Sequence, residues 1–292
     1  MKKQVLLGGV MGVAVLLAAC GGDDGGVANA GSSASNSNEA GTPTTTSPGG
    51  GQPLAQAACR PNGRFTYSGS ASQVAANNGQ LAVLVVPSLP TDYQKNRNIT
   101  APNAPASSQV QQASGAFTTL ASSAAATDCL GLDHGAVTEI QSVGSDVAIG
   151  RWNQAMDTDG NTYTSEQGVH YAVGTPLSLS ATSGTLACTQ LIADTVAQNN
   201  SSVAGTLGAS SATLDLGART LTNLSLSINL GNSQYTLTNT QTPLNGVSTT
   251  GQLSVQTVVV GHDATQPLIA VGYSATLPNT NGVGGVVVLS CR

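Results

Sequence analysis

Charge is scarce in this 292-residue chain: 8% of the residues are Asp, Glu, Lys or Arg, and 3% are aromatic. Nine basic against 14 acidic residues leave a formal net charge of −5, with no basic cluster. A nucleic-acid interface needs such a cluster to neutralise phosphates, and so does an anionic lipid surface. Neither partner is expected. Long apolar runs are lacking too. The longest, residues 5–19, has 15 residues, whereas a helix crossing hydrocarbon needs about 20. Catalytic signatures are missing as well: there is no G-x-S-x-G elbow, H-E-x-x-H helix, phosphate-binding loop or dinucleotide fingerprint. No cysteine has a Cys or His two to four residues away, so the usual zinc spacings are excluded and no metal or cofactor is expected. No repeat with a period of roughly 20–50 residues is present.

What remains is an apolar fraction of 40% and 35 glycines, with polarity supplied mainly by Ser, Thr, Asn and Gln. That mixture is typical of exported β proteins, and it carries enough Val, Leu and Ala for a core of moderate size.

Lys2 and Lys3 precede the apolar run, and Leu17-Ala18-Ala19-Cys20 closes it. A basic start, a short apolar stretch and small residues at the end form the layout of a secretory signal. A cysteine directly after Ala-Ala resembles the lipobox of bacterial lipoproteins. The resemblance implies removal of residues 1–19, a diacylglycerol thioether on Cys20 and acylation of the new amino group. The alternatives are an uncleaved N-terminal helix and a plain secretory signal cut near Ala18. Two or three acyl chains, at about 0.8 kcal/mol per buried CH₂, hold a protein where one chain holds it marginally. The lipid bilayer, reached through acylated Cys20, is thus the expected partner, and any protein partner is unspecified. Gly21 stands where an aspartate would resemble an inner-membrane retention signal, which favours an outer-membrane location in the cell envelope.

Four cysteines remain: Cys59, Cys129, Cys188 and Cys291. An even number in an exported chain reads as disulfides. Three pairings are open; Cys59 with Cys129 and Cys188 with Cys291 is preferred because each pair closes one half of the chain. Loops of that size stabilise by up to about 4–5 kcal/mol each on the chain-entropy model.

Residues 20–58 are rich in Gly, Ser, Thr, Asn and Pro and nearly free of branched or aromatic side chains. They read as the lipidated N-terminus and a disordered linker with a reach of roughly 35 Å. From Cys59 the texture changes. Residues 80–86 form a continuous apolar run, bounded by Asn77-Asn78-Gly79 and Pro87, that reads as a buried strand. Residues 87–105 read as an irregular loop, and residues 107–127, with their Ala, Gln and Leu, as a helix. Residues 59–134 are therefore expected to form a smaller mixed region.

Residues 135–292 alternate apolar with Ser, Thr and Asn in segments 137–141, 145–153, 162–173, 210–216, 220–230, 234–240, 253–260, 268–277 and 283–290. Such alternation sends one face to a core and the other to water. Leu221 breaks the phase of 220–230 as a bulge would, and Gly231-Asn232 marks a hairpin turn. The fold class is mainly β, an antiparallel eight-stranded barrel or sandwich in the C-terminal part with the smaller mixed part before it.

Ile149-Gly150-Arg151-Trp152 followed by Val169-His170-Tyr171-Ala172-Val173-Gly174-Thr175-Pro176 resembles a C-terminal β-domain of proteobacterial envelope proteins, some of which carry a FecR-type domain. That domain is similar to the eight-stranded barrels of transferrin-binding-type surface lipoproteins. The resemblance covers roughly residues 135–292 and implies a barrel; it implies no ligand. Cys188 and Cys291 depart from it, and no FecR-type domain precedes it. In this motif Trp152, the single tryptophan, is expected to close one end of the barrel, with Arg151 paired to a backbone carbonyl or carboxylate. His170, beside Tyr171, is expected to pack against Trp152 or cap a strand end.

Two further readings bear on chemistry. Asp157-Thr158-Asp159-Gly160-Asn161 has closely spaced carboxylates, yet it lacks the spacing of a calcium loop and reads better as a hairpin turn. Asp133-His134 and His262-Asp263 are neighbours, but adjacent strand side chains point to opposite faces, so neither is a ready dyad. The expected function is a lipid-anchored, non-catalytic β-domain that binds a partner or serves the envelope. The alternatives are an enzyme or enzyme accessory with an unrecognised site, and a purely structural envelope lipoprotein.

Overall fold

The computed structural model describes residues 59, 63–94, 97–200, 203–278 and 280–292. Residues 1–58, with Cys20 and the expected leader and linker, lie outside the described residues. Among the described residues no helix is long and apolar enough to cross a membrane.

Among the described residues seventeen strands follow one another: β1 Phe65–Gly69, β2 Gln80–Ser88, β3 Ile99–Pro105, β4 Val110–Gln111, β5 Phe117–Ala121, β6 Cys129–Val143, β7 Val147–Asp157, β8 Gly168–Gly174, β9 Thr185–Ala193, β10 Ala197–Gln198, β11 Thr206–Asp215, β12 Thr220–Leu230, β13 Ser233–Pro243, β14 Val247–Thr250, β15 Leu253–Val260, β16 Leu268–Ala275 and β17 Val283–Cys291. They form two sheets. The first runs β3-β2-β8-β7-β6-β5-β4, with β1 parallel on β6; the second runs β13-β12-β11-β9-β17-β16-β15-β14, with β10 beside β17.

The second sheet curls into a nearly closed eight-stranded antiparallel barrel. Its seam lies between β13 and β14, where side chains replace the backbone ladder. Buried Asn239 donates from Nδ2 to Ser248 Oγ (3.0 Å) and Thr250 Oγ1 (3.1 Å), and its Oδ1 accepts from Thr242 Oγ1 (3.0 Å). On β12 the phase break at Leu221 is a bulge: Asn223 takes φ +52°, and both Leu221 and Leu224 face the core.

Strands at the centre of each sheet are buried on both faces, which is why β2 reads as an unbroken apolar run. Leu81, Val83 and Val85 point into the first sheet's own core with Trp152 and Tyr171. Ala82, Leu84 and Val86 point the other way, with Val147, Ile149 and Ala172, onto Val258, Val260, Leu268, Ala270, Val286 and Val288 of the barrel wall. The remaining faces of β15, β16 and β17 line the barrel interior with Val255, Ile269, Val271, Tyr273, Val287 and Leu289. One set of strands thus serves three cores. Each fully buried Val or Leu contributes about 1.5–3 kcal/mol relative to exposure.

The disulfides are Cys59–Cys129 and Cys188–Cys291. The first anchors the start of the described chain to β6. The second joins directly opposed residues of β9 and β17, with Cα atoms 4.0 Å apart.

Three expectations are corrected. Residues 107–127 hold no α-helix: β5 lies in the core through Phe117 and Leu120 and pairs with β6. The glutamines that suggested a helix instead donate to backbone carbonyls, Gln109 to Ala121 O (2.9 Å) at the end of β5 and Gln111 to Gly115 O (3.0 Å) in the turn before it. The stretch read as a loop before Pro105 contains β3, an edge strand that tolerates Pro102 and Pro105. The boundary between 134 and 135 falls inside β6, and β6, β7 and β8 belong to the first sheet with β2. The motif strands therefore lie outside the barrel, and the division between sheets follows Gly174.

Close packing of the sheets depends on Gly272, where an added Cβ would lie 2.5 Å from both Leu84 Cδ2 and Val86 Cγ2. Gly272→Ala is expected to cost about 1–3 kcal/mol, measured by urea unfolding. A loss below about 0.5 kcal/mol, the usual range for a surface change, would contradict this packing.

Candidate functional site

The register of β7 against β8 sets Arg151 opposite His170 and Gly150 opposite Tyr171. Alternation then separates the motif into two pairs. Trp152 and Tyr171 turn into the first sheet's core, where Trp152 Nε1 donates to Phe117 O (2.7 Å) and Tyr171 Oη accepts from Phe117 N (3.1 Å). Tyr171 lies across the glycine opposite it: a Cβ on Gly150 would meet Oη at 2.3 Å. Tyr273 covers Gly285 in the barrel in the same way, at 2.4 Å.

Arg151 and His170 face the second sheet. Arg151 Nε and Nη2 donate to Glu139 Oε1 (3.1 and 2.7 Å), and Nη1 donates to the carbonyls of Ser165 and Gln167 (both 3.0 Å). Glu139 Oε2 accepts the N–H of Thr195. His170 Nδ1 meets Asp194 Oδ2 at 2.5 Å, and Asp194 Oδ1 accepts from Val286 N (2.7 Å). The expectation that His170 packs on Trp152 is corrected: neighbouring positions on the motif strands face opposite ways, and the partner of His170 is a carboxylate 24 residues later. Both side chains of this pair are fully buried, out of reach of a substrate. The cluster braces β6, β7 and β8 to the segment after β9.

Burial pushes the Asp194 carboxyl above the usual carboxylate range, against the pull of His170. Glu139 goes the other way: burial raises it, but the Arg151 guanidinium and the Thr195 N–H outweigh burial and hold it below its ordinary value. Burial, then the nearby Asp194 charge, raises the Tyr273 phenol.

The other candidates are placed as follows. Asp157 takes Arg97 and Tyr163 Oη on Oδ2, while Oδ1 accepts from the N–H groups of Asp159 (3.0 Å) and Asn161 (3.1 Å). Arg97 also reaches Asp159 (2.7 Å). The loop is a turn whose carboxylates are answered by an arginine, not an oxygen cage awaiting a cation. His134 does meet Asp133, at 2.8 Å, contrary to strict strand alternation, because β6 shifts register on both sides of His134 and Gly135 takes φ +129°. His262 pairs with Asp146 rather than Asp263 and links the β6–β7 turn to the loop after β15. Both exposed histidines thus have carboxylate partners.

A cleft that sequence reasoning missed opens where the sheets part. The outward face of β15 reads Val260, Val258, Gln256, Ser254 toward its N-terminal end, and that of β16 reads Leu268, Ala270, Gly272, Ser274 toward its C-terminal end. Antiparallel pairing brings Ser254 opposite Ser274. Apolar contact gives way to hydroxyls at one end of the interface. Gln256 marks the change, accepting from Thr100 Oγ1 (2.6 Å) and donating to Asn98 Oδ1 (2.9 Å) across the sheets. Beyond it lies a cavity of about 290 Å³ lined by Thr91, Gln94, Gln252, Ser274, Thr276 and Asn281, among others. A second hollow, about 470 Å³, shares Thr91, Asn199 and Asn281 and continues past Gln167. The described lining of both contains no titratable side chain.

No family model matches the chain, and no curated protein matches it. Among solved structures, it is similar to the vaccine antigen transferrin binding protein B from Haemophilus parasuis Hp5, crystallised as a double mutant, with 7% identity and a TM-score of 0.31. The likeness covers 72% of this chain and 44% of that one, so the chain spans less than half of that protein's length.

Glu139 provides a pH test. Because its carboxyl lies below the ordinary 4.5 in the fold, its contribution to stability is fully present above that value and is lost as pH falls through the lower folded value. Glu139→Gln is expected to lower the urea midpoint at pH 7, and the gap from wild type should narrow below pH 4.5. A gap that stays constant or widens in acid would contradict the assignment.

Proposed function

We propose that the chain is a cell-envelope protein held to lipid by acyl chains on Cys20, with a non-catalytic β-domain whose work is binding. The observation that carries this reading is the cleft between the sheets. It is preformed, and its described lining carries amides and hydroxyls and no titratable side chain, while the buried acids and bases are committed to bracing the fold. Arg97, Arg151, Glu139, Asp157, His170 and Asp194 each answer another group of the chain. A general base needs a reachable, positioned side chain, and the most buried His–Asp pair has no solvent access. A linker over residues 20–58, read from their composition, would give such a domain reach away from headgroups.

A second reading, an enzyme or enzyme accessory, draws on the exposed His262–Asp146 pair, which has the partners of a general base if not its cleft. The purely structural reading requires that the cleft stay empty.

The test has two arms on the full chain purified in detergent. Radiolabelled palmitate is expected to enter the wild-type protein and not Cys20→Ser; absence of label from wild type contradicts the anchor. Amide hydrogen exchange is then followed with and without an extract of the producing cell's envelope. Protection is expected at the segments around Asn199, Gln252 and Asn281. Protection nowhere would favour the structural reading. Substrate turnover abolished by His262→Gln would favour the enzyme.

A further inference from the structure

From the lining of the cleft we propose its ligand class: a neutral, hydroxyl-rich saccharide of two to four units. The inference rests on the binding reading above and makes it specific.

The chemistry of the walls is selective by what it offers. Side chains of Thr91, Gln252, Ser274, Thr276 and Asn281 line the cavity with no hydrogen-bond partner among the described residues. Two of these are carboxamides, each presenting a carbonyl acceptor and an N–H₂ donor side by side, and three are hydroxyls that do both. Adjacent hydroxyls of a sugar ring likewise donate and accept over a short span, so a carboxamide can engage two at once. An anionic ligand would find no cation on the described lining, and a cationic one no carboxylate. A charge taken from water without a counter-charge or equivalent hydrogen bonds is costly. An apolar ligand would leave these polar groups dry. An extended peptide is disfavoured by the backbone: β15 and β16 are paired to each other throughout the cleft wall, Ser254 to Ser274, so no free strand edge is offered there.

Size and shape agree. The first hollow, about 290 Å³, is many times the roughly 10–15 Å³ that one water needs on the same measure, room for one sugar ring and the waters around it. The second continues from it through Thr91, Asn199 and Asn281, so a chain of rings would run from one hollow to the next. Strands β15 and β16 supply Ser254 and Ser274, and the short connections next to strand ends supply Thr91, Asn199, Gln252, Thr276 and Asn281. Ser254 and Ser274 sit on the barrel, and Asn199 N donates to Gly282 O (3.0 Å), fixing the rim. A saccharide would replace ordered water in a prebuilt site, which suits a ligand that carries its own hydroxyls.

The experiment uses the full chain in a detergent without a sugar headgroup, since a maltoside would compete. Two printed panels are compared: neutral di- to tetrasaccharides of glucose, galactose, mannose and N-acetylglucosamine, and the same lengths carrying uronic acid or sulfate. The tightest neutral probe is then titrated calorimetrically into wild type, the double variant Gln252→Ala/Asn281→Ala and the cleft-filling Ser274→Phe. Expected are binding by the neutral panel, at least a tenfold loss in the double variant with unchanged Tm, and loss of binding in Ser274→Phe. Binding by the acidic panel as tight as by the neutral one overturns the ligand class. Neutral binding that both variants leave intact overturns the site. If no saccharide binds while the envelope extract still protects the cleft, the saccharide proposal fails and the binding reading stands; if neither occurs, both fail.

Discussion

The structure depends on central strands that are buried on both faces over most of their length. Along most of β2, β7, β8, β15, β16 and β17, odd and even positions enter different cores, so nearly every residue is answerable to packing. This constraint explains the composition. Charged and bulky aromatic residues have few places to go in strands buried on both faces, whereas Val, Leu, Ala and Gly fit at every other position. It also explains why glycines sit opposite tyrosines: the ring covers the bare backbone, once in each sheet, at Gly150 under Tyr171 and Gly285 under Tyr273. The few charges that do enter the interior come as paired groups, because an isolated buried charge would cost several kcal/mol.

The proposed binding site lies where this constraint relaxes. Along β15 and β16 the shared interface runs from Val and Leu through Gln256 and Gly272 to paired serines, and there the sheets separate. The result is a cleft whose floor is built of regular strands and whose lining is free to address a ligand. Among the described residues the buried acid–base groups lie elsewhere: Glu139, Arg151, His170 and Asp194 form the brace, and Arg97 pairs with Asp157. The polar lining of the cleft and the structural polarity of the brace are thus separated in space.

Much of the fold was legible because alternation and turn chemistry are local. The unbroken run of β2, the phase break at Leu221, and the Gly231-Asn232 turn each correspond to a structural feature, and the cysteines pair within the halves they close. What was not legible depends on partners distant in sequence. Nothing near Phe117 shows that β6 will pair with it, so glutamines and alanines read as helix. Nothing near His170 points to Asp194. The motif strands carry barrel-like alternation, but alternation cannot say which sheet a strand joins. The cleft was hidden for the same reason: Ser254 and Ser274 look like ordinary outward residues until antiparallel register sets them side by side. The paired serines, Ser254 and Ser274, are the signal that could have found it once the register is known.

The central claim is that the two sheets form one cooperative body through their shared strands. Native-state amide hydrogen exchange in increasing urea tests it most directly. The account predicts that amides of β7 and β8 in the first sheet and of β16 and β17 in the barrel open with the same free energy and the same urea dependence. Barrel strands that open at a distinctly lower free energy, while β7 and β8 stay protected, would contradict it.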